Sequence, residues 1–303
     1  MTLLEEIRSG FAYLSNGMLQ LQALPVQYPG YVLRDTAGYG VAIELPNNGI
    51  KISEHFASAR YHTCQFNINS QIKTFIVLQC YREELRMEFA TLCEQFLNPG
   101  DNGILRNELL KGPLEWWNRW KELLGNKVQE SAVSSIVAEM VALCYVYKND
   151  KSAEWSSNGS STHDIECSSA SVEVKSTVSK TSAKMTASSQ FQLNANKPLY
   201  IYFVRLEPST NNLSGYSIND LVDVLVSFGY PKDKIEQMLY KRGLEEGASS
   251  RTHRYDILET RKYLVDGNFP RITPSSFQGN SYPVGIVHLE YTIDLDALPF
   301  TKW

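Results

Sequence analysis

One apolar segment restricts the fold of this chain more than any other: it runs from Ser131 to Tyr147 and reads SAVSSIVAEMVALCYVY. Its apolar residues nearly encircle a helix, which predicts a helix that is buried on all sides. Glu139 is the only charged residue in it. An ionised carboxylate in such surroundings is costly unless it is paired, protonated or bound to a metal ion. Glu139 is therefore expected either to pair with an arginine or a backbone group, or to belong to a polar site.

A second segment gathers charged residues on two short strand-like runs between Thr162 and Thr177. It reads THDIECSSASVEVKST and places Asp164 in the first run and Glu173 and Lys175 in the second. In a strand, the two valines of VEVKST would face a core, and both charged side chains would share the opposite face. The SSAS stretch supplies a turn that can bring Asp164 alongside them. On its own the pattern also fits an exposed strand edge with a solvated ion pair, so its context decides.

The residue types at this spacing suit metal-dependent phosphodiester hydrolysis. Carboxylate oxygens are the ligands that Mg²⁺ prefers, and one or two carboxylates with retained waters are usual where the substrate brings phosphate oxygens. The ammonium of Lys175 can orient the attacking water and offset charge on the scissile phosphate. His163 is expected to pack against or hydrogen-bond to Asp164 rather than to bind a metal, because the other histidines are scattered along the chain.

The order of these residues resembles the PD-(D/E)XK nuclease superfamily: a helix glutamate, an aspartate, then E-x-K on a strand. A narrower resemblance, to the bacterial PD-(D/E)XK-motif proteins of defence islands, covers some 190 residues. Its landmarks are LEWWNRWKELLG, AEMVAL, Trp155, HDIE, VEVKST, SSQFQL, YSINDLV, YLVDGNFPRIT and GIVHLEYTIDL. The chain departs from that pattern at WSSNGSS, where no proline follows the tryptophan, at Ile165, and before Asp164, where the superfamily's proline is missing. These departures concern local packing more than the charged residues.

The resemblance implies a fold, an activity and roles for residues. The fold would be mixed α/β (α+β), with a restriction-endonuclease-like core of a mixed sheet flanked by helices. The activity would be DNA endonuclease cleavage that depends on Mg²⁺, with Mn²⁺ as a substitute, and leaves a 5′-phosphate. Asp164 and Glu173 would bind the metal, Glu139 would support it or hold a second ion, and Lys175 would position the water. Gln192 would be an auxiliary residue, although a helix-surface glutamine is the simpler interpretation.

The implied partners are DNA, a second copy of the chain, and the ATPase and cytosine methyltransferase that are often encoded near such proteins. A net charge of −4 does not by itself indicate nucleic-acid binding. Basic residues are nevertheless clustered, and Ser176, Lys180, Lys184 and Arg271 are predicted to contact DNA. A second basic group comprises Arg251, Arg254, Arg261, Lys262 and Arg271. Solvated surface is the alternative interpretation of both clusters.

Composition and termini indicate a cytoplasmic protein. The five cysteines contain no C-x-x-C pair, and an odd number fits free thiols in a reducing compartment. The N-terminal MTLLEEIRSGF has acids where a signal peptide would be basic. The chain offers no uncharged apolar run of membrane-spanning length, so no membrane association is predicted.

Three regions are predicted: an N-terminal mixed α/β domain over 1–100, the nuclease core with its leading helices over 101–210, and a helical and β extension over 211–303. The boundary at 100 rests on the NPGDNG cluster. Strands are predicted at YVLRD, YGVAIEL, RYHTCQF, IKTFIVLQC, LYIYFVRLE, RYDILETRKYLV and VHLEYTIDL. Helices are predicted from Tyr81 to Leu97, from Leu105 to Leu124, at SSQFQL, and at SINDLVDVLVSFG and KDKIEQMLYKRG. The tryptophans of the second helix are interpreted as core residues rather than base-stacking ones.

The leading hypothesis is a Mg²⁺-dependent DNA endonuclease of restriction or phage-defence type. A non-catalytic DNA-binding or scaffolding subunit of a defence complex is the alternative from another class. A repair or junction-resolving nuclease would share the chemistry but act on branched DNA. Fold resemblance alone does not separate these functions.

Overall fold

The computed structural model describes residues 1–46, 50–55, 58–68, 70–124, 130–156, 163–189, 191–210 and 214–303. The chain divides into two compact units, of which the first comprises Met1–Gln129 with Gly243–Ser249 and the second comprises Glu130–Arg242 with Ser250–Trp303. The predicted boundaries at 100 and 210 therefore fall inside these units rather than between them. Residues 125–129, within the predicted core region, and residues 157–161 of the WSSNGSS motif lie outside the described residues.

The first unit is built on a six-stranded antiparallel sheet with the strand order β1-β2-β3-β6-β5-β4. Its strands are β1 (Gly17–Gln20), β2 (Tyr31–Asp35), β3 (Gly38–Glu44), β4 (Ser53–His55), β5 (Ala59–Ile68) and β6 (Gln71–Cys80). Four of them lie where strands are predicted in this region. Residues alternate along each strand, so one face of the sheet contributes an apolar layer that helices cover.

Four helices belong to this unit: α1 (Leu3–Tyr13), α2 (Arg86–Leu97), α3 (Ile104–Lys111) and α4 (Pro113–Leu124). The helix predicted from Tyr81 begins at Arg86, after a short 3-10 turn. The single helix predicted from Leu105 to Leu124 is wrong, because Gly112 and Pro113 divide it into α3 and α4. Proline has no N–H to donate and is suited to the first position of a helix.

The tryptophans of α4 pack in the core of this first unit, as predicted. Trp117 is 1% exposed, and its ring stacks on Tyr61 with centroids 4.9 Å apart. Its indole N–H donates to the Glu54 carboxylate at 3.1 Å. Trp116 also packs against Tyr61, with ring centroids 5.7 Å apart. These contacts assign α4 to the N-terminal sheet rather than to a nuclease core.

The second unit contains a five-stranded mixed sheet with the order β12-β11-β9-β8-β7, in which only β9 and β11 are parallel among the described strands. Its elements are α5 (Glu130–Asn149), β7 (Glu154–Trp155), β8 (Ile165–Glu166), β9 (Ser171–Thr177), β10 (Lys184–Ala187), β11 (Leu199–Pro208), α6 (Ile218–Ser227), α7 (Lys232–Lys241), β12 (Tyr255–Leu264) and β13 (Tyr291–Asp294). Helix α5 packs on β9 and β11. The predicted mixed α/β class is confirmed.

The opposite face of this sheet carries a two-stranded ribbon formed by β10 and β13. Met185 and Ile293 from the ribbon share an apolar cluster with Ile201 and Phe203 from β11. The sheet is therefore covered on both faces, which explains why LYIYFVRLE is apolar throughout. Within the described residues, no helix is both long and apolar enough to cross a membrane.

Two local predictions in the second unit are wrong. Residues 191–193 of SSQFQL form a turn instead of a helix, since the side chain of Gln192 accepts the Ser188 backbone N–H at 2.8 Å and competes with helical hydrogen bonding. The strand predicted over VHLEYTIDL is limited to β13, and Val287 is 89% exposed. By contrast, α6 begins at Ser217 with the predicted serine cap.

Candidate active site

Asp164 is positioned by the pairing of β8 with β9. Ile165 lies opposite Val172 in an antiparallel register, so the residue before Ile165 lies beside the middle of β9. There the carboxylate of Asp164 accepts the backbone N–H of Val174 at 2.7 Å through Oδ2. The turn after β8 thus brings Asp164 next to Glu173 and Lys175, as the sequence predicts.

The two faces of β9 differ in what covers them. The Ser176 hydroxyl bonds to that of Ser135 on α5 at 3.4 Å, which places the Ser176 side of the strand against the helix. Alternation then places Glu173 and Lys175 on the other side. That side is not a solvated edge, because the Glu173 side chain is only 5% exposed. The interpretation of an exposed strand edge is therefore wrong.

Two side chains hold the Glu173 carboxylate. Its Oε1 lies 3.0 Å from Lys175 Nζ and accepts the amide N–H of Gln192 at 2.5 Å. The Gln192 carbonyl in turn accepts the Ser188 N–H at 2.8 Å, which fixes the orientation of the amide. The structure thus brings Gln192, predicted as an auxiliary residue, into contact with the E-x-K pair.

Glu139 belongs to α5, the helix on the Ser176 side of β9, and not to the side that carries Glu173 and Lys175. Its Oε2 accepts the indole N–H of Trp155 at 2.9 Å and a guanidinium N–H of Arg242 at 2.5 Å. The Glu139 side chain is 14% exposed. The predicted arginine pair is present, and so is the proximity to Asp164, because the charge of Asp164 acts on the pKa of Glu139.

Asp164 raises the proton affinity of both glutamates. Burial and then the charge of Asp164 raise the pKa of Glu139 to about 7, and the same two causes raise the pKa of Glu173 to about 8. Burial also raises the pKa of Asp164, against the N–H of Val174 and the charges of Lys175 and Arg242, which lower it. Asp164 therefore links the two glutamates electrostatically. Carboxyl groups whose pKa values are raised by burial and by a specific charged neighbour mark a functional-site candidate.

His163 is close enough to Asp164 to lower the pKa of that carboxyl, and it has a second acidic neighbour. The side chain is buried, and its Nδ1 lies 3.3 Å from the carboxylate of Glu166. Glu166 also pairs with Lys197 at 2.8 Å and accepts the Ser171 hydroxyl at 2.9 Å. His163 thus belongs to a neighbouring polar cluster on the chain segment that carries Asp164.

The residues predicted to bind DNA are dispersed. Lys180 is 75% exposed in its side chain and pairs with Glu207 at 2.9 Å. Lys184 is exposed at the start of β10, and Arg271 is exposed and donates to the Leu193 carbonyl at 3.3 Å. Ser176 lies on the α5 side of β9, opposite Lys175. Among them, Lys180, Lys184 and Arg271 have the exposure that a phosphate contact requires.

The second basic group predicted from the sequence is largely internal. Arg251 is 2% exposed and pairs with Glu236 at 2.8 Å. Arg254 pairs with Asp220 at 3.0 Å, and Arg261 pairs with Glu259 at 2.8 Å. These arginines form ion pairs within the second unit, and Arg251 and Arg261 are buried.

Sequence reasoning missed the roles of Trp155 and Arg242 beside Glu139. Trp155 stands out only as a landmark of the resemblance, and Arg242 directly follows α7, far from Glu139 along the chain. The guanidinium carbon of Arg242 lies 4.7 Å from the centroid of the Trp155 ring. No local pattern around Arg242 points to this contact, since it depends on how α7 packs.

The donor chemistry suits a hard divalent cation, because carboxylate oxygens are what Mg²⁺ prefers. As the side chains stand, the described part of the chain holds no group of three His, Cys, Asp or Glu residues arranged to bind a metal ion. The arrangement that fits is therefore the smaller one, with Asp164 and Glu173 supplying carboxylates and waters completing the shell. That pair is adjacent across β8 and β9.

A protein-family model matches residues 43–296, and the family is described as "Putative PD-(D/E)XK family member, (DUF4420)". The matched range includes Glu139, Asp164, Glu173 and Lys175. No curated protein and no solved structure gave a match. The family match confirms the PD-(D/E)XK resemblance and the restriction-endonuclease-like class.

Proposed function

We propose that this protein is a Mg²⁺-dependent endonuclease that hydrolyses phosphodiester bonds in DNA. The premise is that the chain belongs to this PD-(D/E)XK family, and so to a nuclease-like superfamily. The observation that carries the proposal is that Asp164 lies beside Glu173 and Lys175 of the adjacent strand, while its charge also acts on Glu139 of α5. These acids gain protons more readily than usual because they are crowded and buried. A divalent cation would relieve that repulsion. A role in restriction or phage defence is part of the proposal.

Each residue has a distinct task in this proposal. Asp164 and Glu173 would hold the ion, and Glu139 would support it or hold a second one. A bound Mg²⁺ supplies positive charge to the phosphate and lowers the pKa of water. Lys175, 3.0 Å from Glu173, directs its ammonium to the attacking water and to the scissile phosphate. Gln192 keeps the Glu173 carboxylate in place.

DNA contact is assigned to the exposed basic residues of the second unit. Lys180, Lys184 and Arg271 would contact backbone phosphates, which position DNA without reading its sequence. Ser176 has its hydroxyl on the α5 side, so its contribution would be through the backbone of β9. Mn²⁺ is expected to replace Mg²⁺, since both are hard ions that accept carboxylate and water ligands.

The test is a cleavage assay with purified protein, DNA and Mg²⁺, comparing linear, branched and modified substrates. Lys175→Ala and Asp164→Asn should each reduce cleavage by orders of magnitude, while DNA binding in EDTA persists because phosphate contacts lie elsewhere. Lys234→Ala is the matched control, because it removes an exposed lysine of the second unit that is also ion-paired, with Glu154 at 2.7 Å. Undiminished cleavage by either site variant would refute the assignment.

A second function, that of a non-catalytic DNA-binding subunit, has one observation in its favour. The protein itself supplies counter-charges to its buried acids, since Arg242 pairs with Glu139 at 2.5 Å and Lys175 pairs with Glu173. A fold that needs no metal could use these pairs for stability alone. DNA binding without cleavage under Mg²⁺ or Mn²⁺, both alone and with the ATPase and methyltransferase partners, would favour this function.

A further inference from the structure

The carboxylate of Glu139 receives both of its hydrogen bonds on one oxygen. Trp155 Nε1 lies 2.9 Å from Oε2, and Arg242 Nη1 lies 2.5 Å from the same atom. A carboxylate oxygen accepts about two such bonds, so Oε2 is saturated. Any ligand that Glu139 takes up must therefore bind to Oε1.

Both donors are themselves fixed by the fold. The Trp155 side chain is buried in β7, and its backbone N–H donates to the Tyr230 hydroxyl at 2.9 Å. Arg242 follows the last turn of α7, where its backbone N–H bonds to the Leu239 carbonyl at 3.0 Å. The guanidinium also stacks over the Trp155 indole at 4.7 Å. Two elements far apart in sequence thus form one rigid donor pair.

Arrangements of this kind orient metal ligands in other proteins. A ligating carboxylate is commonly hydrogen-bonded by partners outside the metal shell, and loss of such a partner costs about 10–100-fold in metal affinity or activity. We propose that Trp155 and Arg242 are positioning residues that lock one oxygen of Glu139, so that the other oxygen is available to the metal ion or to its waters. This inference rests on the proposed function.

The simplest variant is Trp155→Phe, which keeps an aromatic ring beneath Arg242 and removes only the indole N–H donor. Its affinity for Mn²⁺, measured by calorimetry without DNA at pH 8, should fall about 10-fold. Tyr147→Phe is the matched control. It removes a hydroxyl from α5, the helix that carries Glu139, where Tyr147 donates to the Gly229 carbonyl at 3.1 Å, and its Mn²⁺ affinity should stay within about 2-fold of wild type.

Arg242→Met distinguishes positioning from a simple effect of charge, because the two explanations predict opposite changes in Mn²⁺ affinity. Removing a positive charge beside the site should strengthen cation binding if only charge matters. Loss of positioning should instead weaken Mn²⁺ binding by about 10-fold or more. Arg242→Lys retains the charge and one donor and should recover part of the affinity, which a purely structural role would not require.

Several results would overturn the inference. The inference is overturned if Trp155→Phe binds Mn²⁺ as tightly as wild type, or if Tyr147→Phe loses as much affinity as Trp155→Phe. Tighter Mn²⁺ binding by Arg242→Met would likewise refute positioning. In all three cases a wild-type protein that binds Mn²⁺ and cuts DNA leaves the proposed function intact. A wild-type protein that neither binds Mn²⁺ nor cuts DNA would overturn the proposed function together with this inference.

Discussion

Replacing Glu173 by glutamine should stabilise the metal-free protein at pH 8 while it abolishes cleavage. Burial and the charge of Asp164 raise the pKa of Glu173 from 4.5 to about 8, although Lys175 and Gln192 act in the opposite direction. Ionising this carboxyl in the folded protein therefore opposes folding. A glutamine has nearly the same shape and carries no charge.

The size of the effect follows from that pKa. A rise from 4.5 to about 8 corresponds to roughly 5 kcal/mol at 1.36 kcal/mol per pKa unit. The gain from Glu173→Gln should be smaller, about 1–3 kcal/mol, because Lys175 loses its ion pair and the new amide N–H must find an acceptor. For a unit of this size, each kcal/mol shifts the unfolding temperature by about 2–4 °C.

The sign of the pH dependence follows from the raised pKa. A carboxyl whose pKa is higher in the folded state contributes stability that is fully present below its unfolded pKa of about 4.5 and is lost as pH rises towards 8. Wild-type protein should therefore lose stability relative to Glu173→Gln between pH 5 and pH 8. The two proteins should unfold at similar temperatures at pH 5 and differ most at pH 8 and above.

The measurement is thermal unfolding followed by circular dichroism in EDTA, from pH 5 to pH 9. Glu207→Gln serves as the control, because Glu207 also pairs with a lysine but is one-third exposed. Its effect should stay within about 0.5 kcal/mol at every pH. A Glu173→Gln protein that is less stable than wild type at pH 8, or a difference that does not change with pH, would refute the argument that the site holds repelling carboxylates.

Two further predictions concern the metal and DNA together. The affinity of the wild-type protein for Mn²⁺ should rise about 10-fold per pH unit between pH 6 and pH 8 for each proton that the ion displaces. The reason is that the pKa values of Glu139 and Glu173 are raised to about 7 and 8. Calorimetric titration at several pH values checks this, and an affinity that does not change with pH contradicts it. DNA should bind more tightly in Ca²⁺ than in EDTA, and Asp164→Asn should lessen that difference. Fluorescence anisotropy measures the DNA affinity of both proteins in the two buffers. Equal wild-type affinities in Ca²⁺ and in EDTA contradict the expectation that metal binding and DNA binding are coupled.

Much of the second unit follows from sequence patterns because those patterns are local. The apolar helix around Glu139, the alternation of VEVKST and the apolar strand at LYIYFVRLE each reflect how one element is buried. The turn between Asp164 and Glu173 is also readable, since it joins neighbouring strands. These elements are enough to place Asp164, Glu173 and Lys175 beside one another.

The remaining features depend on contacts between distant parts of the chain. An apolar helix face shows that α4 is buried but not which sheet it packs on. The sequence therefore predicts that α4 belongs to the nuclease core, whereas α4 packs on Tyr61 of the first unit. Arg242 and Glu139 meet only because α7 ends near β7. At SSQFQL the sequence predicts a helix, but the Gln192 side chain bonds to both Ser188 and Glu173. The segment forms a turn instead of a helix.

The charges of the site predict the order in which its ligands bind, with the metal ion first and the phosphate second. When all groups are ionised, the three carboxylates of Glu139, Asp164 and Glu173 and the two cations Lys175 and Arg242 leave one net negative charge. A phosphodiester, itself negative, would be repelled by that arrangement. If a divalent ion binds as we propose, the net charge of these groups becomes positive, and a phosphate group would then be attracted to them. The proposed function therefore predicts that DNA binds at these acids only when the metal ion is present.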